Sequence, residues 1–347
     1  MKKNGFIIAI VITIPLMFSC TKDDEAISPE AVEKWTFYNV NNGLPSNIVN
    51  CLTEDDYGNI WIGTNRGLVK YDGTGFRTYS SRSGLPSDTI LGLHWDNNDE
   101  LVVGSANGLG IIKSQSYINI LTNSGWECYN SCEDANGNLY TASMYGLLVY
   151  SDNQLHLYKL DTGAYDNYIT DILCDDYGKI WMAAPFKGLC YVKQNKLTCF
   201  PKSKTGMMPY RIIEDKAGNI WMTSVIKDEK VVFYDGYQFV NDTILSEYGD
   251  PDYYDHYKAI SQDKYGNFWV AIAEKGIFHH AGRMTKGYTT ANSPVLMNDV
   301  NAILCDSKGN VWFGSNGAGL YCLQNIKPLQ FQFGPEYNPY PSNYPNN

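Results

Sequence analysis

The chain has 347 residues, of which 44% are hydrophobic and 18% charged, and its formal net charge is −10. A chain this acidic is poorly suited to bind nucleic acid or an anionic bilayer surface, so we expect neither as a partner. Its length is ample for one large domain built from repeated units.

The N-terminus is typical of an exported protein. Two lysines precede an apolar run at residues 6–18, and these 13 residues are fewer than the ~20 that a membrane-spanning helix needs. A basic start followed by a short apolar run indicates a signal peptide over residues 1–19. Residues 16–20 (LMFSC) also resemble a lipobox, which implies that Cys20 becomes the lipidated first residue. An ordinary secretory signal with an incidental cysteine is the alternative.

Residues 20–33 lack a periodic apolar pattern and are expected to form an acidic tether. Its start, Lys-Asp-Asp-Glu at residues 22–25, resembles the surface-export tag of lipoproteins in some Gram-negative anaerobes, and a solvated acidic linker is the alternative. We therefore expect an outer-membrane lipoprotein that is exposed at the cell surface or otherwise faces the periplasm. It would meet the membrane only through its N-terminal lipid.

The body of the chain consists of a repeat whose best copy is DDYGNIWIGTNRGL at residues 55–68. The leading aspartate favours a turn, because its carboxylate can accept backbone N–H groups two residues on. Gly-Asn then supplies two residues that tolerate positive φ, and Ile-Trp-Ile alternates as a strand. Seven copies begin at Asp55, Asp96, Asp134, Asp175, Asp215, Asp263 and Asp306.

The spacing of the copies predicts the architecture. The glycine position of the turn recurs at steps of 38 to 48 residues, and each period holds four short predicted strands. Four strands in ~40–45 residues are typical of a propeller blade. Seven copies therefore predict an all-β, seven-bladed β-propeller of four-stranded antiparallel blades over residues 34–326. A solenoid is the main rival, but it would need capping repeats.

The two ends of the repeat array predict how the ring closes. Trp35–Tyr38 and the Gly-Leu-Pro-Ser segment after it match Phe76–Tyr79 and the same segment after it. The N-terminal strand is therefore expected to complete the last blade as its outer strand, which leaves no exposed edge there. An alternating segment at residues 329–333 is the rival for that position or an added strand at its edge. The rest of the C-terminal extension, residues 327–347, is expected to be irregular.

The residues that repeat are expected to be structural. Aromatic residues commonly form the core between propeller blades, so inter-blade packing explains the five in-register tryptophans better than ligand contact. They are Trp61, Trp181, Trp221, Trp269 and Trp312. The repeated aspartates all stand directly before a turn, so they too have a structural explanation.

One pair of cysteines has the spacing of a cross-strand disulfide. Cys190 and Cys199 flank Gln194-Asn195, and if those two residues form a hairpin turn the cysteines face each other at ~4.5–5.5 Å between Cα atoms. An exported protein permits such a bridge, and two unpaired thiols are the alternative. Four other cysteines near the ends of first strands are expected to be small buried residues: Cys51, Cys132, Cys174 and Cys305.

The common catalytic motifs are absent from the sequence. There is no Gly-x-Ser-x-Gly, phosphate loop, His-Glu-x-x-His or Rossmann fingerprint. No Cys/His spacing suggests zinc, and His279 and His280 would alternate across a strand rather than share one face. We therefore predict no cofactor and no metal site, and we favour a function other than catalysis.

Ligand sites of propellers form where the loops that enter the first strands meet the turns between second and third strands. The fifth-to-sixth step carries extra residues in which tyrosine and aspartate mix: Asp252, Tyr253, Tyr254, Asp255 and Tyr257. Such a loop suits a sugar, because rings stack on sugar faces and carboxylates accept hydroxyl groups; a solvated loop is the alternative. Further candidates vary between blades at the second-to-third-strand turns: Arg66, Asn107, Tyr145, Phe186, Lys187 and Lys275.

The pattern DxxGNIWIGTxxGLxxYDG at residues 55–73, with Gly-Leu-Pro-Ser before it, resembles the two-component regulator propeller repeat. With decay, the resemblance covers residues 35–323. It implies a ring of the kind that often forms the extracytoplasmic sensor of hybrid two-component regulators responding to glycans. The sequence shows one propeller and no Ig-like domain, membrane helix, kinase or DNA-binding segment after it, so we expect no kinase or DNA-binding activity.

These features predict an exported, monomeric ring that binds or senses a ligand, with a glycan or a surface protein as its partner. A polysaccharide or lactone lyase on the rim stays open as an alternative, since rim residues meet in space and not in sequence. A scaffold for surface protein complexes is a second alternative, which a large apolar patch on the rim would favour.

Overall fold

The computed structural model describes residues 33–113, 116–161, 163, 167–224, 231–242, 257–282, 284–324 and 326. In this part of the chain, 28 strands pair into seven antiparallel sheets of four strands each. The prediction of a seven-bladed, all-β propeller is therefore confirmed. The predicted signal peptide, Cys20, most of the tether and most of the C-terminal extension lie outside the described residues.

The strands follow one another from the inner to the outer edge of each blade. Blade 1 is β2 Val49–Glu54, β3 Ile60–Thr64, β4 Gly67–Tyr71 and β5 Phe76–Tyr79. Blade 2 is β6 Ile90–Trp95, β7 Leu101–Ser105, β8 Gly108–Lys113 and β9 Ser116–Thr122. Blade 3 is β10 Cys128–Glu133, β11 Leu139–Ser143, β12 Gly146–Ser151 and β13 Gln154–Tyr158. Blade 4 is β14 Asp171–Cys174, β15 Ile180–Ala184, β16 Gly188–Lys193 and β17 Lys196–Phe200. Blade 5 is β18 Pro209–Glu214, β19 Ile220–Ser224, β20 Val232–Tyr234 and β21 Phe239–Asn241. Blade 6 is β22 Tyr257–Gln262, β23 Phe268–Ile272, β24 Gly276–Ala281 and β25 Met284–Tyr288. Blade 7 is β26 Val300–Cys305, β27 Val311–Ser315, β28 Leu320–Gln324 and β1 Lys34–Tyr38. A short helix, α1 Lys202–Thr205, follows β17.

The first strands form the inner wall of the ring. Each contacts the first strand of the next blade, in the order β2, β6, β10, β14, β18, β22 and β26, and β26 contacts β2 again. Because neighbouring strands are antiparallel, the rim where first strands begin also carries the second-to-third-strand turns. The opposite rim carries the repeated Asp-x-x-Gly turns.

The N-terminal strand closes the ring, as predicted. β1 pairs with β28 in antiparallel register from Lys34↔Gln324 to Tyr38↔Leu320. The Tyr38 hydroxyl lies 2.8 Å from the hydroxyl of Tyr71 in blade 1, and its ring stacks 6.1 Å from Trp312 of blade 7. The closing strand therefore joins the last blade to the first. The alternative segment at residues 329–333 lies outside the described residues, and β1 occupies the outer position.

The repeated aspartate ties each turn to the core. In blade 5, Asp215 Oδ1 accepts the backbone N–H groups of Ala217 at 2.8 Å and Asn219 at 2.9 Å. Its Oδ2 accepts Asn219 Nδ2 at 2.9 Å and the indole Nε1 of Trp221 at 2.7 Å. We call this set of bonds the aspartate clamp. It satisfies the partly buried donors of the turn and the buried indole, and it fixes the ring that packs against the next blade.

The clamp recurs around the ring. The indole donates to the aspartate in blades 1, 4 and 7, and the Tyr140 hydroxyl takes that place in blade 3: Asp55–Trp61 at 3.0 Å, Asp175–Trp181 at 2.8 Å, Asp306–Trp312 at 2.9 Å and Asp134–Tyr140 at 3.1 Å. Burial raises the pKa of the Asp55 carboxyl, but the hydrogen bonds from Asn59 and Trp61 outweigh it, and the pKa falls below its usual value. The clamp therefore stabilises the charged form of the carboxyl.

Blade 6 uses a different partner for its aspartate. His279 Nε2 lies 3.3 Å from Asp263 Oδ2, and its ring stacks on Trp269 with centroids 4.1 Å apart. His280 Nδ1 lies 3.0 Å from Thr285 Oγ1. Both histidines are buried in the blade. They belong to the core and not to a rim site.

Two disulfides lie in the third and fourth blades. Cys190 and Cys199 are paired in the β16–β17 hairpin as the sequence predicted, with Cα atoms 4.0 Å apart, and they form a disulfide. A second disulfide joins Cys132 to Cys174, whose Cα atoms are 5.6 Å apart on the first strands of neighbouring blades. The sequence analysis treated these two only as small buried residues. Their pairing depends on blade packing, which spacing along the chain does not show.

Loss of the clamp should destabilise the ring. Asp215→Ala removes a buried carboxylate and leaves the buried Trp221 indole and two partly buried backbone N–H groups without acceptors, so we expect a loss of about 2–4 kcal/mol in the free energy of unfolding. Urea unfolding measures this loss. The control Asp72→Ala removes a carboxylate that accepts the N–H groups of Thr74 and Gly75 in an exposed turn, and it should cost much less. Equal losses would contradict a special role for the clamp.

A buried histidine should make stability fall in mild acid. Burial lowers the pKa of His94 from 6.5 to about 4, and Asp96 only partly offsets this; its Nε2 has no hydrogen-bond partner in the described structure. Between these values the unfolded chain binds a proton that the folded chain does not. Stability should therefore fall by about 3 kcal/mol as the pH drops from 6.5 to 4.

Urea unfolding at stepped pH tests this expectation. His94→Leu should remove that part of the pH dependence, whereas His156→Leu, at an exposed position of the outer strand β13, should leave it unchanged. A His94 variant with the original slope between pH 4 and 6.5 would refute the assignment.

Candidate functional site at the mouth of the central channel

The rim where the first strands begin carries a pocket at the mouth of the central channel. In six blades of the described structure, a β-bulge interrupts the pairing of first and second strands near the start of the first strand. A bulge re-aims a side chain out of the ladder. The residues at these bulges line the mouth: Asn50, Leu91, Tyr129, Tyr210, Lys258 and Asn301. With Arg211 and Asn316 they enclose about 370 Å³.

Some of these polar residues hold the ring together. The side chains of Asn50, Thr170 and Asn301 donate to a backbone carbonyl of the next blade, at 2.9, 2.7 and 3.2 Å respectively. Thr170 occupies the corresponding place in blade 4. These bonds satisfy carbonyls that the bulges remove from the ladder, so the three residues have a structural role.

One side of the mouth is aromatic. The rings of Tyr129 and Tyr168 meet edge to face with centroids 5.9 Å apart, and Phe186 lies 6.4 Å from Tyr168. The Tyr129 hydroxyl donates to the Glu127 carboxylate, which fixes its ring. Tyr210, in blade 5, lines the same pocket. The arrangement offers several rings on which a flat ligand face can stack.

An ion pair stands on the side of blades 6 and 7. Lys258 Nζ is 2.5 Å from Asp299 Oδ1 and 3.4 Å from Asn301 Oδ1. The side chains of Lys258 and Asp299 are 23% and 25% exposed. Partial burial strengthens such a pair relative to one in bulk water. The mouth thus combines stacking surfaces with charged donors and acceptors.

Beneath the mouth, a channel of about 190 Å³ contains a buried charged cluster. The Asp171 carboxylate accepts Asn130 Nδ2 at 2.7 Å and the backbone N–H groups of Ile172 and Ile212 at 3.0 Å. Arg211 Nη1 is 4.0 Å from Asp171 Oδ1. Burial raises the pKa of the Asp171 carboxyl, and the charge of Arg211 only partly offsets this.

The candidates at the second-to-third-strand turns lie on the same rim as this mouth: Arg66, Asn107, Tyr145, Phe186, Lys187 and Lys275. The structure brings only part of this set to the mouth. Phe186 is 57% exposed and continues the aromatic side from Tyr168. The other five lie at the turns of their own blades, in blades 1, 2, 3, 4 and 6.

Three of these candidates have local partners that account for them. Lys187 Nζ donates to the backbone carbonyl of Leu160 at 2.9 Å and forms an ion pair of 2.6 Å with Asp161. Asn107 Oδ1 accepts the backbone N–H of Gly125 at 3.1 Å. The Tyr145 ring packs 4.8 Å from Trp126. These contacts order the rim loops.

The tyrosine-rich loop before blade 6 is described only at its end. Residues 252–255, which include Tyr253 and Tyr254, lie outside the described residues. Tyr257, which the sequence placed with this loop, is instead a core residue of β22 with 1% of its surface exposed. It begins an inner strand and packs in a cluster with Trp221, so its ring is not open to a ligand.

The main residues of the mouth were missed by the sequence analysis. Tyr129, Tyr210 and Lys258 each stand five residues before the repeated aspartate, and Arg211 stands four before it. The corresponding positions in the other blades hold asparagine, threonine, leucine, cysteine, glycine, alanine and aspartate. The position five residues before the aspartate is polar in most blades, but its residue type changes from blade to blade. Aligning the seven copies on the aspartate would have shown this variation.

Solved structures share this fold. The extracellular domain of the hybrid two-component system BT4673 from B. thetaiotaomicron has a TM-score of 0.70 and 19% identity over 86% of this chain. Virginiamycin B lyase from Staphylococcus aureus has a TM-score of 0.70 and 16% identity over 85% of this chain and 100% of its own. PorZ, a surface component of the type-IX secretion system of Porphyromonas gingivalis, has a TM-score of 0.63 and 17% identity over 82% of this chain and 47% of its own.

These identities establish likeness of fold alone. This chain spans 41% of the length of the BT4673 domain. No curated protein sequence matches the chain. Within the described residues, no helix is both long and apolar enough to span a membrane.

The sequence-family comparison agrees with the repeat described above. Residues 43–66 and 295–317 match the model of the two component regulator propeller. The first match contains the aspartate clamp of blade 1, and the second contains that of blade 7. The chain therefore carries two-component regulator propeller repeats, on a ring like those in the extracellular domains of hybrid two-component systems.

Proposed function

We propose that this protein is an exported propeller that binds a carbohydrate at the mouth of its central channel. The observation that carries the proposal is the convergence there of Tyr129 and Tyr210 with the Lys258–Asp299 ion pair. Sugar rings present an apolar face for stacking and a rim of hydroxyl groups for hydrogen bonds. The mouth supplies partners for both.

The size of the pocket suits a small ligand. Its volume of about 370 Å³ lies in the ~300–1,000 Å³ range of small-molecule sites, which often combine aromatic walls with a few polar groups. The bulged residues rest on a closed ring of strands, so the pocket is largely formed before a ligand arrives. A preformed site loses less entropy on binding.

The proposed location follows from the N-terminal sequence. A signal peptide with a lipobox-like end would place a lipid on Cys20, and the acidic tether would hold the ring off the membrane. The similar propeller of BT4673 is an extracellular domain, which supports an extracytoplasmic site of action. We propose that the chain acts as a sensing or capture module at the cell surface, as a monomeric ring.

The two other functions that the sequence leaves open gain no separate support. The polar side chains described at the mouth are hydroxyls, amides, cations and carboxylates that already have partners, which are groups that hold a ligand. The exposed large apolar residues of this rim are spread around the ring and form no single cluster: Val40, Tyr145, Phe186 and Leu296. We therefore propose binding rather than a lyase reaction or a scaffold role.

Thermal unfolding with a glycan panel tests the proposal. A ligand at a hundredfold its Kd should add ~2.7 kcal/mol of stability, a clear rise in Tm. Tyr210→Ala should abolish the rise, because it removes a stacking surface from the mouth. Tyr177→Ala, at a 73% exposed turn on the opposite rim, is the matched control and should keep it.

Two results would overturn the proposal. One is the absence of a Tm rise across a broad panel of neutral and acidic glycans. The other is a rise that Tyr210→Ala leaves intact and Tyr177→Ala removes, which would move the site to the opposite rim.

A further inference from the structure

Arg211 occupies an unusual place in the ring. It lines both the mouth and the channel beneath it, and its side chain is 19% exposed. Its only described contacts are Asp171 at 4.0 Å and the Tyr210 ring, 5.2 Å from the guanidinium carbon. Neither is a hydrogen bond of ordinary length. A guanidinium has five N–H donors, and here the described residues accept none of them.

Asp171 does not supply the hydrogen-bond acceptors that the Arg211 guanidinium needs. Asp171 already accepts the amide of Asn130 and two backbone N–H groups at 2.7–3.0 Å. Two further carboxylates near the mouth are also engaged: Asp299 is paired with Lys258 at 2.5 Å, and Glu127 accepts the Tyr129 hydroxyl. Buried polar groups are nearly always hydrogen-bonded, and arginine stays charged at any physiological pH. The bottom of the mouth therefore lacks an acceptor that matches its cation.

Beside Arg211, two uncharged side chains can contact the uncharged part of an anionic ligand. The Asn50 amide donates to a backbone carbonyl, and its oxygen has no described partner, so it can accept a hydroxyl. Tyr210 borders the same space and can cover a ring face. A planar carboxylate is the group that a guanidinium binds best, through two parallel hydrogen bonds.

We propose that Arg211 is the subsite for a carboxylate, and that the ligand of the mouth is an acidic sugar. The carboxylate would enter the bottom of the mouth and accept the guanidinium donors, while the sugar ring stacks on the tyrosines above. This inference rests on the proposed function, since it names the ligand class for the same pocket.

The test compares ligands that differ only in the carboxylate. Isothermal titration of the ring with D-galacturonic acid and D-galactose, and with D-glucuronic acid and D-glucose, measures the preference in Kd. A hydrogen-bonded charge pair predicts that one acidic sugar binds about 10- to 100-fold more tightly than its neutral partner. Arg211→Gln should remove this preference, and Arg211→Lys should restore part of it.

Removal of Arg211 leaves Asp171 buried without a nearby cation, and the single variant can fail to fold. The double variant Arg211→Gln/Asp171→Asn removes both charges at nearly constant volume and keeps the test valid. Circular dichroism and the unfolding midpoint show that each variant is folded. The expected result for the double variant is again equal affinity for the acidic and neutral sugars.

The outcomes separate this inference from the proposed function. If acidic and neutral sugars bind equally, and binding depends on Tyr210 but not on Arg211, the carboxylate subsite is refuted and carbohydrate binding stands. If neither kind of sugar binds while the wider glycan panel is also silent, both proposals fail. If sulfate or acetate alone binds at Arg211 and no sugar does, the site is an inorganic-anion site and the acidic-sugar assignment is wrong.

Discussion

In five of the seven blades, one aspartate carboxylate holds both a turn and an aromatic ring of the second strand. In the aspartate clamp, a single side chain accepts two backbone N–H groups of its turn and the indole of a tryptophan six residues later. The turn and the inter-blade core are therefore fixed by the same group, because the indole that it orients packs against the neighbouring blade. A repeat of ~40 residues can then specify a ring, since each copy carries both its own hairpin and its contact to the next copy.

Because the clamp lies on the opposite rim, the residues at the mouth can differ from blade to blade. The clamp acts on the rim opposite to the mouth, whereas the bulged positions at the mouth carry little of the packing. Two of them, and the residue at the corresponding place in blade 4, bond the next blade through short polar side chains. Tyr129, Tyr210 and Lys258 fill three of the other places with larger groups. Loops and strand ends on a rigid scaffold commonly carry function for this reason.

Local sequence patterns predicted the features whose causes are local. The Asp-x-x-Gly turns, the seven periods, the outer position of β1 and the Cys190–Cys199 register all follow from residues close together in the chain or from copies of one unit. The Cys132–Cys174 bridge, the burial of Tyr257 and the meeting of Arg211 with Asp171 depend on how blades stand side by side. Such contacts join residues about one period apart, and a pattern read along a single copy does not contain them.

The position of β1 also sets the order in which the molecule can be completed. Its partner strand, β28, is the last of the described strands to be made, so the first strand must wait while the other blades assemble. During that interval, two unpaired strand edges are exposed to any other chain. Pairing of β1 with β28 also brings together the two ends of the repeat array. Closure of so long a loop is a slow step in folding. The closed ring therefore leaves these two edges open to wrong pairing until the last described strand has been made.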